Sequence, residues 1–384
     1  MRGSGVASIC LAPDPKVDMH IPDGYLSPTT CAVLYGAAAP FWYAALQRVK
    51  KNLSTRLVPL LSVMAALSFV IMMFNLPLPG GTTGHAVGVG IATIILGPWA
   101  SILAVSIALA IQAVFFGDGG ITTLGANCFN MAIVGSLVAY AVYRIVAGHA
   151  TLTAPRRVGA AALAGYAAIN ASALCAAVEF GVQPIFFKDA GGAPLYAPYP
   201  LAIAIPAMMI GHLTFAGLAE LVLSAGVVAY FQRTNPALLK GTATGAIIDS
   251  ATEIAKTRGE GVWAAIRPLW IGLAILMILT PLGILATGTA WGEWSARDLS
   301  NPQTRQMIAN ASRNVPPPID PPNGLDHLSS LWTAPFPQYA PSFVRRPALG
   351  YALSAMFGSG AIILVSVIAG SLATRVRDKR HELS

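Results

Sequence analysis

Met19 and His20 stand side by side, followed by Ile21-Pro22-Asp23-Gly24-Tyr25-Leu26-Ser27-Pro28. A histidine directly after a methionine that can begin a chain gathers three nitrogens on two residues. These are the Met19 amine, the His20 backbone amide and His20 Nδ1, which close adjacent five- and six-membered chelate rings on one metal ion. Amine, deprotonated amide and imidazole make a strong in-plane field, suited to square-planar or tetragonal Ni(II) and Cu(II) and acceptable to Co(II). Pro22 fixes φ and Asp23-Gly24 supplies turn chemistry, so the stretch reads as a rigid hook. The competing reading is a solvated loop with one stray histidine.

His85 closes the glycine-rich run Gly80-Gly81-Thr82-Thr83-Gly84-His85. Its bland reading is a hydrogen-bonded interfacial histidine at a helix end. The glycines favour the sharper one, because they let backbone approach where a side chain would clash. Three nitrogens from Met19-His20 and one from His85 fill a square plane, so the metal ligands expected are Met19, His20 and His85. Asn127 and Asn130, at i and i+3, could orient the hook by hydrogen bonds. Glu179 and Glu220 lie in apolar segments, where an ionisable group is costly and often functional, or else held neutral or paired between helices. His212 precedes Glu220 by eight positions, about two turns, so the two share a helix face and could form a polar seam. His149, His327 and His381 lie in loops or the tail and carry no role. Met64, Met72, Met73, Met208 and Met209 read as packing.

Stepping outward to what must position these residues, composition decides the class. The 384 residues are 55% hydrophobic and 10% charged, with mean hydropathy +0.63, against about 25% charge in a soluble domain. An all-α integral membrane protein follows. A net charge of +8 would suggest nucleic acid in a soluble protein, but the basic residues sit in loops between apolar runs, and no nucleic-acid partner is expected. Cys10, Cys31, Cys128 and Cys175 form no CxxC pair.

Residues 1–18 lack the core and flanks of a signal peptide. They read as an extension whose presence decides whether the Met19 amine is free. Membrane segments are expected at about 31–47, 57–76, 86–97, 98–116, 121–147, 158–183, 205–231, 266–289 and 347–372. The charge-free run from Ala86 to Phe116 is too long for one span of about 20 residues, and Gly97-Pro98 divides it into a short piece and a full one. The bundle therefore has about nine segments, one of them short. With the N-terminus outside and the C-terminus inside, 16 of 24 Lys and Arg fall on the inner side, as the positive-inside rule asks. That count holds only if Ala86–Gly97 is a crossing. The hook and the 80–85 loop then share the outer face. Domains divide as the 1–18 extension, a 19–231 core, an inner loop 232–265, and a two-span part 266–384 with an outer segment 290–346. That outer segment, rich in proline and polar residues, is not expected to form a large core.

The strings MHIPDGYLSP, GTTGHAVGVG and LGPWASILAVSIALAIQAVFFGDGGITTLGANCFNMA resemble the CbiM/NikM family, from Met19 to about Tyr230. These are substrate-binding membrane components of energy-coupling-factor transporters for cobalt and nickel. The resemblance implies metal held by the N-terminal amine, the amide and imidazole of the next histidine, and a histidine of the glycine-rich loop: here Met19, His20 and His85. Family members usually begin at this methionine, whereas 18 residues precede it here. From about Arg267 the chain resembles the small two-span partner subunit, with Pro322-Asn323-Gly324-Leu325-Asp326 similar to a Pro-Asp-Gly-Leu-Glu signature.

The chain has no GxxxxGK[ST] loop, HExxH or nucleophile elbow, so it is expected to be a transporter subunit and not an enzyme. Uphill transport would need ATP-binding cassette ATPase subunits and a coupling transmembrane (T) subunit, as the resemblance also implies. The expected cargo is Ni2+ or Co2+, with no cofactor, in a multi-pass protein of the inner (plasma) membrane bilayer. The alternative is a proton-coupled secondary transporter or membrane enzyme using Glu179 and Glu220. The fused part is expected to aid loading without supplying ligands, so its removal should leave equilibrium affinity nearly unchanged.

Overall fold

The computed structural model describes residues 20–51, 57–242, 262–286 and 288–382. Met19 and the 1–18 extension lie outside the described residues, as does most of the inner loop. Most of the described residues are helical.

Ser27 ends the hook and starts the first helix, α1 (Pro28–Lys51), by accepting from the Thr30 amide at 3.0 Å. Proline in the first turn and a hydroxyl before it are a strong start signal. Helix α2 (Leu57–Met72) is buried without a break from Leu61 to Met72. A helix apolar all round belongs at the centre of a bundle.

The chain then does something the apolar run alone does not reveal. Leu76–Leu78 (β1) pairs antiparallel with Thr82–Gly84 (β2), turned by Gly80 and Gly81 at φ 85 and 79. Val89–Leu96 (α3) follows, only eight residues long. At 1.5 Å per residue it spans about 12 Å, far short of a membrane core of about 30 Å.

Pro98–Ile111 (α4) continues into a π-helical turn, Gln112–Phe116. Leu124–Asn127 (α5), a π turn at Cys128–Val134 and Gly135–Ala147 (α6) make one rod. Pro155–Phe186 (α7) packs against α6 and carries a small-residue face of Ala160, Ala161, Ala164 and Gly165. A Cβ on Gly90 of α3 would stand 2.8 Å from Gly165 Cα. Small residues let these helix backbones approach closely. Leu201–Gly211 (α8), a π turn at His212–Ala216 and Gly217–Thr234 (α9) form the next rod.

The C-terminal part is not a separate lobe. Val262–Leu279 (α10) and Pro347–Glu382 (α14) both pack on α2. Between them lie three short helices, Ala296–Ser300 (α11), Pro302–Ala311 (α12) and Asn323–Leu328 (α13). This segment, expected to have little core, buries Trp291, Trp294, Leu299, Ile308 and Leu325 against Tyr25, Phe180 and Tyr199.

Among the described residues six rods are long and apolar enough to cross a membrane: Pro98–Phe116, Leu124–Ala147, Pro155–Phe186, Leu201–Thr234, Ile266–Leu285 and Pro347–Leu372. Of the other three expected segments, α1 is long but less apolar, α2 has 16 residues and α3 eight. One end of the bundle collects basic residues. Arg48 lies 3.8 Å over the Trp99 ring, Thr242 bonds Ile94 at the end of α3, and Gln232 bonds the turn that Arg157 also binds. The hook, the hairpin and the 117–123 turn gather at the other.

Candidate metal centre

Two glycines and an acid build the floor under the hook. Gly117 and Gly119 take φ 67 and 82, which L side chains rarely adopt, and a Cβ on Gly119 would stand 2.9 Å from His20 Cβ. The hook is pinned at each residue. Asn127 accepts from the Ile21 amide and donates to the Ile21 carbonyl, both at 3.1 Å. The Thr123 hydroxyl and the Gly120 amide donate to the same carbonyl. Asp23 accepts from the Ile121 and Thr122 amides at 3.1 and 2.8 Å, and from the Thr122 hydroxyl. Asn127 thus does what its position suggested; Asn130 instead donates to Glu179 at 2.8 Å.

His20 and His85 meet. Their ring centroids are 5.1 Å apart, edge to face, with both residues over nine-tenths buried. His85 Nδ1 donates to the Ala86 carbonyl at 3.0 Å, so its Nε2 presents a lone pair. His20 Nδ1 donates to Asp118 at 2.9 Å, and its Nε2 has no hydrogen-bond partner. The chelate expected from sequence uses Nδ1; here that nitrogen is held by a carboxylate behind the ring. Acids in this position orient a metal-binding imidazole and raise its basicity.

Asp118 is itself held from two sides. Gln112, in the first π turn, donates to it at 3.2 Å, and Tyr339 of the C-terminal part donates at 2.5 Å. Gln112 also donates to the Tyr339 hydroxyl at 2.9 Å. Burial, and then the Asp118 charge, push the Tyr339 phenol well above its usual range, so it stays a donor. Sequence reasoning missed all three residues of this relay. The available signal was an acid set between glycines directly after a long charge-free run.

Glu220 anchors the backbone that follows His85. Its carboxylate accepts from the amides of Val87 and Gly88 at 2.8 Å and of Gly90 at 3.1 Å. These are orphan donors at the start of α3, where the helix dipole also favours a negative charge. The structural reading of Glu220 is therefore the one realised. It forms no seam with His212, whose Nδ1 donates to the Met208 carbonyl at 2.9 Å.

A cavity of about 280 Å³ opens beside the two histidines, lined also by Asn130, His212 and, from the C-terminal part, Trp291 and Glu293. Backbone of that part closes on the hairpin: the Thr83 amide donates to Thr289 at 3.1 Å. A Cβ on Gly24 of the hook would meet Leu325 Cα at 2.8 Å. The sequence motif around Gly324 thus sits directly on the hook.

The CbiM family model, described as the cobalt uptake substrate-specific transmembrane region, matches residues 20–238. The chain belongs to the CbiM family. A PDGLE domain matches residues 267–375, so this CbiM chain carries a fused PDGLE part. It is 53% identical to the fused nickel transport protein NikMN of Rhodobacter capsulatus over 90% of the chain and 95% of that protein. The probable fused nickel transport protein LarMN of Lactiplantibacillus plantarum is 40% identical over 92% and 97%. The cobalt transport protein CbiM of Geobacter sulfurreducens is 32% identical over 77% and 80%. A crystal structure of a transition metal transporter superposes with TM-score 0.55 at 44% identity, over 63% of this chain and 100% of that one. A truncated transition metal transporter gives TM-score 0.53 at 48% identity, over 56% and 99%. This CbiM chain is thus a multi-pass membrane protein of a nickel and cobalt transport family.

Proposed function

We propose that the chain is the metal-capturing subunit of an ATP-driven, energy-coupling-factor importer for Ni2+ or Co2+. The observation that carries this is the convergence of His20 and His85 in one buried cavity, with a carboxylate behind the first ring. With Met19, outside the described residues, as the mature N-terminus, its amine and the His20 amide complete the donor set. The chelate forms when the imidazole turns about Cβ–Cγ and brings Nδ1 round to the amide side. Asp118 then remains as a counter-charge beside a dication, worth roughly 7 kcal/mol at 5 Å and an effective dielectric of 20.

Energy for uptake comes from ATPase subunits through a coupling transmembrane subunit, since this chain has no phosphate loop of its own. In this reading the chain resides in the inner membrane with the hook outside, the C-terminus inside and nine membrane segments, α3 being the short one. Glu220 argues against the secondary-transporter alternative, because its carboxylate is occupied in capping α3.

The test has two arms. Purified protein should bind Ni2+ tightly, and His20→Ala with His85→Ala should remove that binding. Cells should accumulate metal only when the ATPase and coupling subunits are co-expressed; accumulation by this chain alone, collapsed by a protonophore, would establish the alternative.

A further inference from the structure

His212 is the third histidine on the cavity wall, and neither the hook nor the hairpin uses it. Its Nδ1 proton is committed to the Met208 carbonyl, which can only accept, so Nε2 carries a lone pair. His212 also opens a π-helical turn, His212–Ala216, inside a 34-residue rod. Such turns are uncommon and concentrate at functional sites. Asn130 lines the same cavity and has the same character, lying in the π turn Cys128–Val134. Its amide nitrogen is spent on Glu179, which directs the oxygen elsewhere. That oxygen has no hydrogen-bond partner although the residue is only 2% exposed. A buried carbonyl left in this way is rare and calls for a partner the protein does not itself supply.

We propose that His212 Nε2 and the Asn130 amide oxygen form a second cation-contact position in the cavity, passed by the ion on its way to His20 and His85. This rests on the metal-capture reading above. Imidazole nitrogen and carbonyl oxygen are both ligands for divalent first-row ions, and two neutral ligands hold such an ion weakly enough to release it. Among the described residues no three His, Cys, Asp or Glu side chains stand within reach of one ion. His212 is therefore a separate station and not a co-ligand of the tight site. Space permits a hydrated ion: six waters take about 180 Å³ at about 30 Å³ each, within the 280 Å³ available. The ion can thus shed water gradually against these walls before meeting the four nitrogens.

Calorimetric titration in detergent with Ni2+ of the protein whose N-terminus is Met19, verified by mass spectrometry, should show a tight event and a weaker one. The His20→Ala/His85→Ala double variant should lose the tight event and keep the weaker. His212→Ala should lose the weaker event and slow stopped-flow loading about tenfold. His212→Cys, which places a thiolate at the same point, should gain a thiolate-to-cobalt absorption with Co2+ that the parent lacks; thermal unfolding verifies that each variant is folded. A parent without the weaker event, its survival in folded His212→Ala, or no new absorption in folded His212→Cys overturns the second position. A parent with no tight event, or one indifferent to His20 and His85, overturns the capture reading instead.

Discussion

Gln338 and Tyr339 both occupy the left-handed region, at φ 56 and 59. For residues other than glycine this costs about 1–3 kcal/mol each. The strained turn delivers the Tyr339 hydroxyl to Asp118 and stacks its ring on Phe116 at 4.7 Å. We therefore expect Asp118→Asn to weaken Ni2+ affinity about tenfold to a hundredfold, by loss of the counter-charge beside the ion, and Tyr339→Phe about tenfold, by loss of the contact that holds that carboxylate in place. Tyr351→Phe is the matched control, since that hydroxyl bonds the Met73 carbonyl and stays outside the relay. Equal affinities for all four proteins, measured by competition with a chelator, would remove the relay from the capture mechanism. Between the two histidines, His20→Ala should abolish tight binding, whereas His85→Ala should cost roughly a hundredfold, about 2.7 kcal/mol. The first removes an arm of a fused chelate, the second a position that water can fill. Extending or acetylating Met19 should be as damaging as His20→Ala, with the N-terminal residue read by mass spectrometry.

At the scale of elements, α3 has no capping side chain of its own: its N-cap is Gly88 in the left-handed region. Glu220 supplies the cap from α9. Glu220→Gln keeps one acceptor oxygen but loses the charge, and should lower stability by about 1.5–3 kcal/mol. Because Val87 is two residues from His85, the same change should weaken metal affinity; an affinity unmoved in a destabilised variant would separate the helix start from the site. The long rods and the split at Gly97-Pro98 were legible in the sequence, because apolar length and a Gly-Pro break are local signals. The hairpin was not, since Leu76-Pro77-Leu78 simply prolongs an apolar run. The π turns were not either, being made of ordinary helix formers whose widened turn is set by packing. That His20 and His85 share one face could be read from the charge count and the glycine-rich loop, and the two rings do meet. Asp118 and Tyr339 could not, because each acquires meaning only from the other, 221 residues away.

For the whole molecule, the fused part packs around the hook and its supports. It covers α2, lays Leu325 on the hook, pairs Thr289 with the hairpin and secures Asp118. These contacts argue against the expectation that removing it leaves affinity nearly unchanged. A chain ending before Arg267 should keep its helical core, with lipid covering α2, yet bind Ni2+ about tenfold more weakly for want of the Tyr339 contact. Circular dichroism together with titration tests both halves of that statement. Charge reversal at Arg267, exposed at the basic end, should impair uptake in cells and leave binding by purified protein intact.

The clamp on the hook has a consequence in time. Ribosomes deliver the chain from its N-terminus, so His20 emerges long before Tyr339, roughly 320 residues and about 15–65 s later at 5–20 residues per second. Throughout that interval Asp118 lacks its second donor and the hook lacks its lid. On the metal-capture reading, a nascent chain would hold nickel or cobalt about tenfold more weakly than the finished protein, and would gain its full affinity only when its last loop is laid down.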